Sequence, residues 1–243
     1  MHKYKYHCYL LTNTVLCGKI TAIFRQQGRE NMTRKAGTIP EETRDSILRS
    51  AEAEFAEFGY EKASLRHICA NAGVTTGALY FFFKDKDDLF MSVIAPVVNR
   101  MEDILSDHYN AELLAEAPED DVEIEEDFRF AEMFMDMCYQ YDNIVQIIVS
   151  NLNHPLVKGF VDSIMEAIDA HSKELLTKIK AEVPVPIEEI YDDYILHWFS
   201  HLQFDAVIHM ETHHPGGSRE DVEKEMKKMI KFLRNGFFSL LTP

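Results

Sequence analysis

The sequence is poor in the residues that mark specialised structural classes. Of its 243 residues, 4 are Cys, 10 are Gly and 8 are Pro. Such low numbers exclude a disulfide scaffold, collagen and low-complexity disorder. No apolar run reaches the roughly 18 uninterrupted residues that a membrane-spanning helix needs. The chain is therefore expected to be an ordinary soluble globular protein of one or two domains.

The four cysteines show no spacing that indicates chemistry. They form no CxxC pair and no metal-binding pattern. Unpaired cysteines of this kind fit a reducing compartment, so the sequence predicts a cytoplasmic protein. Neither a glycine-rich phosphate loop nor a nucleophile elbow occurs, and no enzymatic motif of these classes is expected.

Basic residues are scarce and unevenly distributed. The chain carries 25 Lys and Arg against 41 Asp and Glu, a formal net charge of -16. The net charge is +4 over residues 1–32, -1 over 33–100 and -19 over 101–243. An acidic body repels phosphate backbones, so any contact with nucleic acid is expected in the near-neutral second segment.

Residues 1–37 read as an extra N-terminal segment rather than as part of a fold. The first 31 residues show neither strand alternation nor helical spacing. Gly28-Arg29-Glu30-Asn31 precedes Met32, and the corresponding codons can spell a purine-rich ribosome-binding sequence. We therefore expect this segment to be disordered or a mis-assigned start, with Met32 as the candidate first residue.

Residues 38–90 have the signals of three short helices. Thr38 and Glu41 have capping-box spacing, and Gly59 is a stop signal for the first helix. Ser64 can cap a second helix, Gly73-Val74 makes a tight turn, and Thr75 can cap a third. Two short helices joined by a turn containing Gly are typical of a helix-turn-helix, whose second helix enters the major groove of DNA.

The segment 72–90 resembles the signature of the TetR family of transcriptional regulators. It reads Ala-Gly-Val-Thr-Thr-Gly-Ala-Leu-Tyr-Phe-Phe-Phe-Lys-Asp-Lys-Asp-Asp-Leu-Phe. The resemblance covers about residues 43–91. It implies an all-α homodimer with an N-terminal three-helix bundle containing the helix-turn-helix. It also implies, for residues 91–243, a C-terminal antiparallel helical domain for ligand binding and dimerisation.

Carried over onto this sequence, the resemblance assigns a set of side chains to DNA. They are Ser64, Arg66, Thr75, Thr76, Gly77, Ala78, Tyr80 and Phe81, with Lys84 and Lys86 against phosphates. Phe82 departs from the family pattern, which usually has His there. It either packs inward, which we favour, or meets a thymine methyl group. Because few of these residues can make a bidentate base contact, readout is expected to rely on methyl contacts and DNA shape.

The rest of the chain is predicted to be helical. A fourth helix should run from Asp85 to about Leu114 with Pro96 inside it, where a kink could couple the domains or be only a fixed bend. Further helices are predicted over 155–182 and 187–213, and Ser218 with Asp221 should cap the last one.

Apolar stripes on these helices predict a ligand pocket and a dimer interface. In a protein resembling this family, Met beside aromatic residues suits a bulky apolar guest. The predicted pocket residues are Phe130, Met133, Phe134, Met137, Tyr141, Tyr194 and Trp198. The predicted interface residues are Ile195, Phe199, Leu202, Met226, Ile230, Leu233 and Phe237.

These patterns predict a regulator that binds a palindromic double-stranded DNA operator as a homodimer, without a cofactor, metal or membrane. We expect a repressor that is released from its operator by a small-molecule effector with an apolar portion.

Two alternatives stay open at this stage. One is a metal-dependent helical enzyme built on Asp193, His197 and His201, which lie at i, i+4 and i+8. Ordinary interface or pocket polar groups explain that spacing better. The other is a DNA-binding protein whose C-terminal domain only assembles the dimer.

Overall fold

The structure, a computed structural model, describes residues 41–114, 120–180, 186–213 and 218–240. These residues form helices, with no strand among them, and the predicted all-α class is confirmed. The predicted N-terminal segment 1–37, with Met32 and the Thr38 cap, lies outside the described residues. In chain order the helices are α1 (Glu41–Lys62), α2 (Leu65–Asn71), α3 (Thr76–Phe82), α4 (Lys86–Leu114), α5 (Asp120–Gln140), α6 (Asp142–Ser150), α7 (Pro155–Ile179), α8 (Ile187–Ile190), α9 (Asp193–His213) and α10 (Arg219–Ser239).

The chain divides into two compact units. The N-terminal unit contains residues 41–103 and 136–161, and the C-terminal unit contains the described residues of 104–135 and 162–240. The N-terminal unit thus takes in more of the chain than the predicted segment 38–90, because part of α4 and all of α6 belong to it.

In the N-terminal unit, α1 is the central helix and packs on α2, α3 and α6. Ile47, Ala51 and Phe55 lie on one face of α1 and are buried, as the helical spacing predicts. The side chain of Phe58 continues that sequence pattern but is 40% exposed. Full burial of a side chain such as Phe55 contributes on the order of 2–3 kcal/mol, so this face holds the helices in place.

Two glycines shape the connections of this unit. Gly59 has φ 71° and ψ 169°, so the chain leaves the helical conformation there before α1 ends at Lys62. Gly73 has φ 68° and lies between α2 and α3. Residues with a Cβ rarely adopt this left-handed conformation, which explains why glycine serves at both turns.

In the C-terminal unit, the predicted single helix over 187–213 is wrong. The structure has the short helix α8 and then α9, separated at Tyr191 and Asp192. Tyr191 is buried in a cluster with Leu176, Ile187, Leu196 and Phe199. Asp192 caps the new helix, because its carboxylate accepts from the backbone N–H of Ile195 at 2.9 Å. The first residue of α10 follows Ser218, whose side chain forms the predicted capping box with Asp221.

No helix within the four described segments has both the length and the hydropathy that crossing a bilayer requires.

Candidate nucleic-acid interface

The helix-turn-helix is formed by α2 and α3, and both helices are capped as the sequence predicts. The Ser64 hydroxyl accepts a hydrogen bond from the backbone N–H of His67 at 3.4 Å. The Thr75 hydroxyl accepts from the backbone N–H of Ala78 at 3.2 Å. Each cap satisfies a donor that a helix N-terminus otherwise leaves open. A helix of 7 residues such as α3 depends on such a cap and on tertiary packing.

One face of α3 is buried and the other is open. Leu79 is fully buried and Phe83, directly after the helix, is 2% exposed, so these two side chains fix α3 to the core. Thr75, Thr76 and Gly77 are exposed at its start. The predicted contact residue Ala78 is half-buried, whereas Tyr80 is 52% and Phe81 is 41% exposed. An exposed helix start with small side chains lets a backbone approach a phosphate or a base edge closely.

Gly77 is not required by the packing of α3. A Cβ at this position would meet only the Thr75 hydroxyl, at an ordinary distance of 3.7 Å. The missing side chain therefore leaves empty space on the exposed side of the helix start. That space suits an approaching DNA backbone.

The start of α2 is organised by a carboxylate that the sequence interpretation missed. Glu54 on α1 is only 4% exposed. Its side chain accepts from the backbone N–H of Ser64 at 2.9 Å and lies 2.6 Å from His67 Nδ1. Arg66, the predicted contact at this helix start, is exposed. Glu54 thus joins α1 to the helix start that carries two predicted DNA contacts, Ser64 and Arg66.

The two lysines predicted to meet phosphates differ in their surroundings. Lys84 is 82% exposed, and its ammonium lies 3.9 Å from the Asp85 carboxylate. The Lys86 ammonium instead donates to the carbonyl of Ala63 at 2.8 Å and lies 4.7 Å from the centre of the Tyr60 ring. The charge of Lys86 is thus engaged with the end of α1, where unsatisfied carbonyls attract a cation.

Tyr60 connects the end of α1 with the start of α4. Its hydroxyl donates to the Asp87 carboxylate. Burial, followed by this hydrogen bond and the charge of Asp87, raises the pKa of the Tyr60 phenol well above its ordinary value. The start of α4 is further held by Asp88, whose carboxylate accepts from the backbone N–H of Lys84 at 2.8 Å.

Phe82 is half-buried and lies between the rings of Phe81 and Phe83, at centroid distances of 5.2 and 6.3 Å. Phe81 is the more exposed of the two, and the inward packing of Phe82 stays a prediction.

The predicted ligand-pocket residues are spread over the chain. Met137 is buried and Tyr141 half-buried in the N-terminal unit. Phe130, Met133 and Phe134 are half-buried in the C-terminal unit, where Phe130 lies 4.5 Å from the His108 ring. Tyr194 and Trp198 are 77% and 51% exposed. Their exposure shows that these two aromatic side chains are not enclosed within the protomer.

An open cleft of about 230 Å³ lies elsewhere, within the N-terminal unit. It contains none of the predicted ligand residues. Its lining residues are Asp45, Leu48, Arg49, Glu52, Ser92, Val93, Pro96 and Ile144.

The predicted dimer residues lie on α9 and α10, which pack against each other. Phe199 and Met226 are buried in two different clusters of the protomer, so their side chains are largely occupied by intramolecular contacts. Half-buried positions are Ile195, Leu202, Ile230, Leu233 and Phe237. Phe232, which the sequence interpretation left out, is 76% exposed on α10.

The Asp193, His197 and His201 trio does not converge on one point. The Asp193 carboxylate lies 2.8 Å from the Lys173 ammonium. His197 Nδ1 instead lies 2.8 Å from Oδ2 of Asp169 on α7. Among the described residues, no group of three His, Cys, Asp or Glu side chains could hold a metal ion.

Comparison with known sequences gives a match in the same part of the chain. Residues 47–93 match the family model described as bacterial regulatory proteins, tetR family. The transcriptional repressor BepR of Brucella suis is 45% identical over 64 residues, which are 26% of this chain and 31% of BepR. The repressor AcnR of Corynebacterium glutamicum is 34% identical over 89 residues, or 37% and 47% of the two chains. The alignments thus span less than half of these relatives' lengths.

Solved structures resemble a larger part of the fold. The fatty acid degradation regulator FadR from Bacillus halodurans superimposes with a TM-score of 0.57 at 19% identity, covering 82% of this chain and 96% of FadR. A TetR-like transcriptional regulator from Rhodococcus sp. RHA1 gives 0.57 at 16% identity, with coverages of 84% and 98%. At such identities the likeness concerns the fold alone. The sequence relationship lies in residues 47–93, which match the domain of the tetR family of bacterial regulatory proteins.

Proposed function

We propose that this chain is a sequence-specific DNA-binding repressor that leaves a palindromic operator when a small molecule binds. The observation that carries the proposal is the exposed start of α3, with Thr75, Thr76 and Gly77 at the helix end and Tyr80 beside them. The helix is held from behind by Leu79 and Phe83, so its outer face is free to enter a major groove.

The proposal assigns distinct contacts to the individual residues. Thr75 and Thr76 offer hydroxyls and backbone N–H groups to a phosphate, while Gly77 admits the DNA backbone. In this proposal the exposed Phe81 ring contacts a thymine methyl group, and Tyr80 offers its hydroxyl. Lys84 supplies the positive charge that contacts a DNA phosphate, because the Lys86 ammonium is engaged within the protomer.

Homodimerisation through α9 and α10 completes the proposed mechanism. One helix-turn-helix makes few contacts, whereas two held about 34 Å apart read successive major grooves of an inverted repeat. An effector that binds better to a wrongly spaced conformation lowers DNA affinity by its differential affinity for the two states. This mechanism contains no catalytic step, and it places the protein in the cytoplasm with the DNA.

The names of the matched relatives support repression as the proposed function, since BepR and AcnR are both described as transcriptional repressors. The predicted pocket around Phe130, Met133 and Phe134, which all lie in the C-terminal unit, remains our proposal for the effector site. A guest with an apolar portion fits those side chains.

The experiment is selection of bound duplexes from a randomised DNA library, followed by affinity measurement on the enriched sequence. We expect an inverted repeat to be enriched. Tyr80→Ala should weaken binding to it about tenfold, in the range for loss of one good DNA contact. Tyr139→Ala is the matched control, because Tyr139 is 51% exposed but lies on α5. Absence of any enriched sequence, or equal losses in both variants, would contradict the proposal.

The effector is tested separately. Compounds that raise the melting temperature of the protein should also release it from the selected duplex. A set of stabilising compounds that leaves DNA binding intact would instead favour a DNA-binding protein without a small-molecule effector.

A further inference from the structure

Two histidines on the exposed side of α9 present their ring nitrogens to each other. His197 and His201 are one helical turn apart, and both are exposed. Their Nε2 atoms are 3.2 Å apart. When two imidazole nitrogens bind one tetrahedral metal ion at about 2.0–2.1 Å, they lie about 3.3 Å from each other. The pair is therefore already spaced as two ligands of a single ion.

The orientation of His197 is fixed by a neighbouring carboxylate. Asp169 on α7 lies with Oδ2 at 2.8 Å from His197 Nδ1. The other oxygen of Asp169 accepts a hydrogen bond from the hydroxyl of Ser200, which is fully buried. With the proton of His197 on Nδ1 and directed at Asp169, Nε2 keeps its lone pair and faces Nε2 of His201. This carboxylate–histidine arrangement is the one that orients metal-binding histidines in proteins.

From this geometry we propose that His197 and His201 form a bidentate site for a divalent transition-metal ion, with Asp169 as the residue that orients His197. Neutral imidazole suits Zn²⁺, Cu²⁺ and Ni²⁺, whereas Mg²⁺ and Ca²⁺ prefer oxygen ligands. Asp193 is engaged with Lys173, so water completes the coordination. The site binds an ion on the surface of α9 and carries out no reaction, and it does not depend on the proposed repressor function.

A second histidine pair on the same helix provides an internal comparison. His209 and His213 have the same spacing, but their rings are stacked at 4.6 Å with an angle of 11° between their planes. Nitrogens in parallel rings point in parallel directions and do not converge. His213 Nδ1 also lies 2.7 Å from the Thr212 hydroxyl. This pair serves as the control for histidine content and helix position.

The chain has a built-in reporter for the proposed site. Trp198 follows His197 directly and is the one Trp in the sequence. A Cu²⁺ ion bound next to an indole quenches its fluorescence, whereas Zn²⁺ does not. The experiment is a titration of the full-length, untagged protein with Cu²⁺, followed by competition with a large excess of Zn²⁺ and, in a separate sample, with the same excess of Mg²⁺. The excess is needed because Cu²⁺ binds nitrogen ligands more tightly than Zn²⁺ does. We expect saturation at one Cu²⁺ per chain, recovery of fluorescence with Zn²⁺ and no recovery with Mg²⁺.

Three variants test the assignment of ligands. His197→Asn/His201→Asn should lose the saturable quenching, and His209→Asn/His213→Asn should keep it. Asp169→Asn should bind Cu²⁺ about 10- to 100-fold more weakly, as removal of an orienting carboxylate usually does. Circular dichroism without metal confirms that each variant is folded. Quenching that persists in the first double variant, or that never saturates in the unchanged protein, would overturn the proposal.

Discussion

Lys84 and Lys86 are two positions apart, yet their charges act in different places. The Lys84 side chain is 82% exposed, so its ammonium can contact a DNA phosphate. The Lys86 ammonium donates to a carbonyl at the end of α1 and lies over the Tyr60 ring. A hydrogen bond from a charged donor and a cation–π contact each contribute on the order of 1 kcal/mol when partly shielded from water.

This difference predicts that one of two matched substitutions changes DNA binding and the other changes the free energy of unfolding. Lys84→Met should leave the free energy of unfolding nearly unchanged and lower the salt dependence of DNA binding by about one charge. Lys86→Met should lower the free energy of unfolding by about 1 kcal/mol and leave the salt slope unchanged. Urea denaturation and binding titrations at several salt concentrations measure both quantities. A weaker salt dependence of DNA binding in Lys86→Met would show instead that Lys86 contacts DNA.

Glu54 is the residue whose loss should most affect the start of α2. Glu54→Ala removes the acceptor of the Ser64 backbone N–H and the partner of His67 from a site that is 4% exposed. We expect the free energy of unfolding to fall by about 2 kcal/mol, the usual cost when buried polar groups lose a partner. Glu57→Ala on the same helix is the control, with an expected change below about 0.5 kcal/mol, because Glu57 is exposed. Similar losses in both variants would show that the Glu54 contacts do not stabilise the helix-turn-helix.

At the residue scale, the sequence predicts what depends on near neighbours. The Ser64, Thr75 and Ser218 caps involve partners three residues away, so their spacing is visible in the sequence. The contact between Glu54 and His67 spans 13 residues, and that between Lys86 and Ala63 spans 23. Such contacts form only when helices pack together, and no local sequence pattern predicts them.

At the scale of elements, the break between α8 and α9 is the clearest departure from the predicted helices. Apolar residues continue through 187–213 at helical spacing, so periodicity alone cannot locate the interruption. Tyr191 occupies it, 5% exposed, with its ring 4.7 Å from that of Phe237. The Tyr191 hydroxyl donates to the Phe237 carbonyl on α10. These contacts join the residue at the break to α10, and no local pattern in the sequence predicts them.

The surroundings of Tyr191 predict a pH dependence at the alkaline end. Burial raises the pKa of the Tyr191 phenol from 10.0 to about 12, so the folded state binds the phenolic proton more tightly than the unfolded state. The resulting stability is fully present below pH 10 and is lost as the pH rises towards 12. The difference in free energy of unfolding between the unchanged protein and Tyr191→Phe should shrink over this interval.

Denaturant titrations at a series of alkaline pH values measure that difference. Tyr139→Phe is the control, because the Tyr139 side chain is 51% exposed. A Tyr191→Phe difference that stays constant across the interval would contradict the assignment of the raised pKa to burial.

At the scale of the whole molecule, the excess negative charge and several exposed aromatic side chains lie in the same part of the chain. The net charge of -19 over residues 101–243 disfavours contact between that part and DNA. Exposed aromatic side chains occur there too, with Tyr194, Trp198 and Phe232 at 77%, 51% and 76%. Sequence periodicity located α9 and α10 as candidate interface helices. It could not separate side chains facing outward from those in the core, such as Phe199 and Met226, because both kinds follow the same helical spacing.

The proposed dimer makes a geometric prediction about the operator. If two α3 helices read the half-sites together, the selected inverted repeat should have half-site centres about 10–10.5 base pairs apart, or a multiple of that spacing. Inserting about five base pairs between the half-sites turns one of them by half a helical turn, to the opposite side of the duplex. Binding should then fall to the affinity of a duplex with one half-site, since only one helix-turn-helix can engage.

Fluorescence anisotropy on three duplexes measures this effect: the selected repeat, the repeat with the insertion, and a single half-site. Phe232→Glu adds a second test, because a charge at this exposed position should weaken association if α10 joins the two copies. The variant should bind the selected repeat and the single half-site with similar affinity, and sedimentation should show more monomer. Equal affinity of the unchanged protein for the selected and the lengthened repeat would mean that the two reading helices are not held at a fixed distance. Release by an effector would then require a different physical explanation, because a ligand can act through spacing only where spacing determines affinity.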